Sequence, residues 1–139
     1  LATFGCARPS DTPAADALRA LLALLREAEE FTQAMSRLKG ERLELGFAIT
    51  GGEVLCGTVG ERSRLEFTVI GDTVNLAAKL EKANKTLGTA ALADGAVIAA
   101  AEREGFTPDR TRAFERFRIE LPGVLEPRDV VGWRRVAAA

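Results

Sequence analysis

The sequence predicts an α+β sandwich: a mostly antiparallel sheet with helices on one face. Three observations predict it. Residues 14–38 carry apolar side chains at steps of three and four, the stripe of one long amphipathic helix. Short segments near residues 43–49, 65–70, 114–121 and 130–136 read as strands, with period-two alternation clearest in the first and third. Turn residues set hairpins beside helical crossovers, which favours an α+β plan.

Taken in chain order, residues 1–4 read as the end of a strand and residues 5–13 as a loop. The first helix places Leu18, Leu21, Leu22, Leu25, Ala28, Phe31, Met35 and Leu38 on its apolar stripe. Arg19, Arg26, Glu27, Glu30 and Arg37 mostly take the other side, as a solvated face does. Leu43-Glu44-Leu45-Gly46-Phe47-Ala48-Ile49 is a strand, Thr50-Gly51-Gly52 a turn, and residues 53–59 the returning strand of an antiparallel hairpin. A polar loop, Glu61-Arg62-Ser63-Arg64, leads to a third strand over 65–70.

Gly71-Asp72 ends that strand, and a helix runs over 73–87 with Asp72 or Thr73 as N-cap and Gly88 as its stop. Residues 90–93 form a short strand. Asp94 caps a helix over 95–104, stopped by Gly105. Strands follow over 114–121 and 130–136, separated by the Pro122-Gly123 turn, with Trp133 in the last. A ferredoxin-like arrangement is the commonest plan for this mix. No repeat, low-complexity tract or linker appears, so residues 1–139 read as a single domain.

Composition removes several classes of function. With 19 basic and 20 acidic residues, there is no electrostatic case for nucleic acid or an anionic membrane surface. No run of roughly 18 apolar residues exists to span a bilayer. The chain has no histidine, which excludes Ser–His–Asp and Cys–His catalysis and a histidine-ligated zinc site. Cys6 and Cys56 are too few and too distant for a disulfide framework. They read as free thiols suited to a reducing cytosol and as small buried hydrophobes.

Two glycine-bearing segments invite a chemical reading. Gly51-Gly52-Glu53-Val54-Leu55-Cys56-Gly57 is glycine-rich, but no Gly-Lys-Ser/Thr follows, so it reads as a hairpin rather than a P-loop. Phe67-Thr68-Val69-Ile70-Gly71-Asp72-Thr73-Val74-Asn75-Leu76-Ala77-Ala78-Lys79-Leu80 is more informative. A strand ends, a glycine turns the chain, and a helix opens at once. Helix starts favour anions, phosphates among them. Asn75 and Lys79, four apart, share one helix face, so an amide able to bond a ribose or phosphate oxygen sits one turn before a cation. Thr68 offers a hydroxyl near the same helix start. These residues make a candidate nucleotide site; an ordinary capped helix with an exposed lysine is the plainer alternative.

The segment from Arg64 to Glu81 resembles the signature of class III adenylyl and guanylyl cyclases. The preceding Gly46-Phe47-Ala48-Ile49-Thr50-Gly51-Gly52-Glu53-Val54-Leu55-Cys56-Gly57-Thr58-Val59-Gly60 is similar to the same family, as is Leu1-Ala2-Thr3-Phe4-Gly5. The resemblance implies a ferredoxin-like catalytic domain that works as a homodimer, with its site at the subunit interface. It implies an adenylate cyclase, a phosphorus–oxygen lyase that turns ATP into 3′,5′-cyclic AMP and pyrophosphate in cytoplasmic signalling. Thr68 matches the position that reads the purine base, Asn75 the one that orients the ribose, and Lys79 an arginine that stabilises phosphate charge in the transition state. Ile70, Val74 and Ala78 match pocket-lining positions.

The resemblance also implies two divalent ions, Mg²⁺ or Mn²⁺, whose two aspartate ligands fall upstream of Leu1 in the family pattern. No metal ligand is therefore assigned here, the chain reads as an N-terminally incomplete catalytic domain, and alone it is expected to be inactive. Two further departures stand out. Lys79 lacks the bidentate fork of an arginine, and Pro122 replaces a basic residue before Gly123, with Arg118 or Arg128 as possible substitutes. These departures leave open a degenerate homology domain that binds nucleotide or dimerises without turnover.

Overall fold

The computed structural model describes residues 1–40, 43–61, 64–108 and 112–135. Its elements are α1 (Pro13–Lys39), β1 (Phe47–Ile49), β2 (Leu55–Glu61), β3 (Arg64–Ile70), α2 (Asp72–Leu87), β4 (Thr89–Asp94), α3 (Gly95–Arg103), β5 (Phe114–Ile119) and β6 (Arg128–Arg134). Helix α1 opens on Pro13, where a missing N–H costs nothing. Asp16, in its first turn, accepts from Ser10, Thr12 and Arg19. Gly40 closes the helix in the left-handed region (φ 68°), donating its N–H to the Ser36 carbonyl.

Four strands form one sheet in the order β1-β4-β6-β5. β1 runs parallel to β4, and the other pairings are antiparallel. β2 and β3 form a separate antiparallel ribbon, in register from Leu55↔Ile70 to Glu61↔Arg64. The α+β class and the antiparallel-dominant sheet are as the sequence predicts.

The helices, however, cover both faces rather than one. Ala91 and Ala93 of β4 and Val131 and Trp133 of β6 pack with Leu18, Leu21 and Leu25 of α1 and Val97 and Ile98 of α3. Leu92 and Val130, one residue out of phase on the same strands, pack with Leu76 and Leu80 of α2. The alternation of side chains along a strand makes both faces apolar, so each needs its own helical cover.

Several local expectations change. Residues 1–4 form no strand, and residues 43–46 are irregular, leaving β1 only three residues long. β1 does not make a hairpin with β2: its backbone pairs with β4 (Phe47↔Ala91 to Ile49↔Ala93), and β2 pairs with β3 instead. Neither Asp72 nor Thr73 caps α2; the N-cap is Gly71, whose carbonyl takes the N–H groups of Val74 and Asn75. Asp94 caps α3 as predicted, its side chain accepting from Ala96 N–H. β5 stops at Ile119, and Leu121 is buried under α2 instead. Arg62, Ser63 and Val136, read above as loop and strand, lie outside the described residues.

The cysteines also depart from expectation. Cys6 and Cys56 are joined as a disulfide, and Cys56 is exposed rather than buried. The N-terminal segment passes β2 closely enough to bring residues 50 apart in sequence to a Cα separation of 6.8 Å.

Two polar links hold α2 against the sheet. Buried Asn84 donates to the carbonyl of Phe47 (2.8 Å) and of Glu81 (3.1 Å), and accepts from the Thr89 hydroxyl (2.7 Å). At the end of the helix, Arg134 donates to the Leu87 carbonyl and grips the Glu115 carboxylate with two nitrogens. That pair of hydrogen bonds lowers the Glu115 carboxyl from its ordinary value; a small desolvation opposes the shift, and the charge of Arg134 adds to it.

Two outcomes are expected. A Cβ on Gly132 meets Phe117 Cε2 at 2.8 Å and Thr89 Cγ2 at 2.9 Å. Gly132→Ala therefore overpacks the α2 face and lowers unfolding free energy by about 1–3 kcal/mol in urea titrations. Because the folded-state pKa of Glu115 is depressed, its contribution to stability is present above the unfolded value and is lost as pH falls through the folded one. NMR titration of its carboxyl should give a midpoint below that of an unpaired glutamate, about 4.3, and Arg134→Gln should return it there.

Candidate functional site

The candidate site is built where β3 turns into α2. Glycine suits the turn for two reasons: Gly71 has φ +156°, which side-chain-bearing residues rarely adopt, and a Cβ there would sit 3.2 Å from the Glu53 carbonyl oxygen and 3.5 Å from Val54 Cα. The loop over residues 50–54 wraps this turn. The Thr50 hydroxyl donates to the Thr73 carbonyl (2.8 Å), and the Thr73 hydroxyl donates to the Glu53 carbonyl (3.2 Å). The first turn of α2 is thereby tied on two sides to the segment that joins β1 to β2.

The residues singled out in the sequence lie on two surfaces around that turn. Thr68 and Ile70 alternate with Val69, so they share one face of the ribbon with Leu55, Gly57 and Val59. Thr68 is half-buried opposite Gly57, and Ile70 is 56% exposed. Asn75 and Ala78 are exposed on α2. Lys79, on the same helical face as Asn75, is half-buried and donates from Nζ to the Gly123 carbonyl at 3.2 Å. The turn that lacks a basic residue at Pro122 thus holds the lysine of α2 by a backbone oxygen. Arg118 and Arg128 are engaged elsewhere, with Asp129 at 3.2 Å and Asp94 at 3.7 Å.

Val74 points the other way. It lines a cavity of about 380 Å³ bounded by Ala48, Thr50, Val69, Thr73, Ala77 and the N-terminal segment. Of the six proposed site residues, Val74 alone lines that cavity. The walls are largely apolar, a poor match for a triphosphate. The other five residues face outward from β3 and α2.

Among the described residues, no group of three or more His, Cys, Asp or Glu side chains could hold a metal ion. The resemblance matches neither aspartate of the two-ion centre to a residue of this chain, and none of the described side chains is assigned to an ion. No helix among the described residues is long and apolar enough to cross a membrane.

The sequence pattern marked Thr73 only as a possible N-cap and Thr50 only as a turn residue. The available signal was a hydroxyl residue beside the glycines at each of two turns, Thr50-Gly51-Gly52 and Gly71-Asp72-Thr73. Nor did spacing reveal that Lys79, 44 residues before Gly123, would meet that turn.

The chain is 41% identical over 83 residues to adenylate cyclase 1 of Rhizobium meliloti (strain 1021), covering 60% of this chain and 12% of that protein. It is 35% identical over 86 residues to an adenylate cyclase of Anabaena cylindrica, covering 59% and 17%. The chain thus spans under a fifth of the length of these curated relatives. Among solved structures, the guanylyl cyclase Cya2 superposes with a TM-score of 0.71 at 22% identity, over 94% of this chain and 62% of that one. The adenylyl cyclase CyaB from P. aeruginosa superposes with a TM-score of 0.69 at 18% identity, over 96% and 66%. These structural matches are evidence of the fold. Residues 1–106 match the family model described as the adenylate and guanylate cyclase catalytic domain. The chain belongs to the class III adenylyl and guanylyl cyclase catalytic domain family.

Proposed function

We propose that the chain is the nucleotide-holding part of an adenylate cyclase domain that converts ATP to 3′,5′-cyclic AMP and pyrophosphate. The observation that carries this reading is the exposed face of α2. It places Asn75 one turn before Lys79, directly after the strand that bears Thr68, in a chain of the cyclase family. Two curated relatives named adenylate cyclase support ATP over GTP. In the reaction, the ribose 3′-hydroxyl loses its proton and bonds to the α-phosphorus, while the bond from that phosphorus to pyrophosphate breaks. Asn75 orients the ribose, Lys79 offsets charge on the phosphates, and Thr68 reads the adenine, with Ile70 and Ala78 beside the nucleotide; Val74, expected there from the sequence, lines the apolar cavity behind instead.

We place the site between two copies of the chain. Leu55, Val59 and Ile70, on the ribbon face that bears Thr68, are all more than half exposed. A two-stranded ribbon with uncovered apolar faces is marginal alone in water. A second copy laid against Thr68, Ile70 and α2 would cover that surface and close the site. Divalent ions belong in the assay because phosphoryl chemistry of this kind uses them. A cytoplasmic setting follows from the proposed substrate.

The test is product formation by the full-length protein with Mn²⁺ and either ATP or GTP, read by mass spectrometry. Cyclic AMP from ATP is expected. Cyclic GMP alone would overturn Thr68 as an adenine reader. Binding without either product would favour a non-catalytic homology domain. Asn75→Ala should lower turnover about 10²–10³-fold, the scale for losing one preorganised contact, while leaving the thermal midpoint unchanged. Lys79→Arg should keep or raise turnover, since a guanidinium restores a two-pronged grip on phosphate.

A further inference from the structure

We propose that Thr73 is a positioning residue of the proposed nucleotide site, setting α2 so that Asn75 and Lys79 meet the nucleotide together. The inference rests on the reading of α2 given under Proposed function. Thr73 touches the site only through the backbone it holds.

Three observations support it. Thr73 is bound through two different atoms: its carbonyl takes a hydrogen bond from Thr50, and its hydroxyl donates to Glu53. Both partners lie on the loop of residues 50–54, which leads from the edge strand β1 to the ribbon strand β2. The loop is shaped for this contact, because a Cβ on Gly52 comes 2.5 Å from Thr73 Oγ1 and one on Gly71 comes 3.2 Å from the Glu53 carbonyl. Finally, α2 lacks a side-chain N-cap, so the threonine bonds do the anchoring that a cap provides elsewhere.

The link from anchor to site is geometric. Asn75 follows Thr73 by two residues, in the same first turn of the helix, and Lys79 follows it by six, a turn further on. Lys79 is also held from its far side by the Gly123 carbonyl. A small rotation of the first helical turn therefore moves the Asn75 amide relative to an ammonium that stays fixed. A displacement of about 1 Å at such a pair costs roughly 10²-fold in rate.

Thr73→Val keeps the shape of the side chain and removes its hydroxyl; Thr73→Ser restores the hydroxyl. Both go into the full-length protein beside Asn75→Ala, with kcat and KM for ATP measured and amide hydrogen exchange followed by mass spectrometry over residues 71–77. Thr73→Val should speed exchange in that segment about tenfold, the equivalent of one lost hydrogen bond. It should also lower kcat roughly 10–100-fold with KM changed less than about threefold. Thr73→Ser should recover both to within about threefold.

Unchanged exchange in Thr73→Val would overturn the proposal, whatever the activity. Faster exchange with wild-type kcat, alongside a large loss in Asn75→Ala, would also overturn it and leave the nucleotide site standing. Wild-type turnover in Asn75→Ala would instead overturn the reading of α2 itself.

Discussion

Complete burial of β4 is the constraint on which the other elements depend. All six residues from Thr89 to Asp94 are shielded from water. A buried strand must have its backbone groups paired on both edges and its side chains covered on both faces. β1 and β6 satisfy the edges. Ala91 and Ala93 are small enough to bring α1 and α3 close to one face, while Leu92 reaches Leu80 on the other. Each fully buried leucine contributes on the order of 1.5–3 kcal/mol. The cover demanded by the Leu92 side is what fixes α2.

Once α2 is seated, its buried and exposed faces divide the work. Leu76, Leu80 and Asn84 turn inward, and Asn75, Ala78 and Lys82 turn out. Asn84 is a polar residue in an apolar setting, but each of its bonding groups has a partner, so its burial carries no orphan penalty. It also ties the far end of α2 to β1 through the Phe47 carbonyl. The start of α2 is tied to the loop just after β1 by Thr50 and Thr73. One short strand thus references both ends of the helix that presents the proposed nucleotide contacts.

The elements most legible in the sequence were those with a strong local signal. The helix over α1, the Gly71 break before α2, the Gly88 stop and the Asp94 cap all describe local backbone needs, and all are present, although the apolar stripe of α1 is buried only as far as Leu25, with Phe31 and Leu38 exposed. Strand pairing was less legible. Residues 43–49 alternate and the turn at 50–52 suggests a hairpin with 53–59, yet the parallel partner of β1 lies more than 40 residues away. Pairing choice is a tertiary matter that alternation does not encode. Helices on both faces followed from a single leucine between two alanines, a phase that periodicity displays only once the strand is known to be buried. Of the site, the segment around Asn75 and Lys79 was visible because spacing on a helix is local. Of its supports, Thr73 was visible only as a possible N-cap, while Thr50 and the Gly123 carbonyl come from elsewhere in the chain and were not visible.

The exposed face of α2 and the apolar cavity behind it are two different places a nucleotide could sit. The most direct measurement is a crystal structure of the full-length protein with a non-hydrolysable ATP analogue. The predicted result is a ribose oxygen within about 2.7–3.2 Å of the Asn75 amide, a phosphate oxygen within reach of Lys79 Nζ, and the adenine beside Thr68. An analogue lodged between Ala48, Val69 and Ala77, with Asn75 and Lys79 facing solvent, would contradict it.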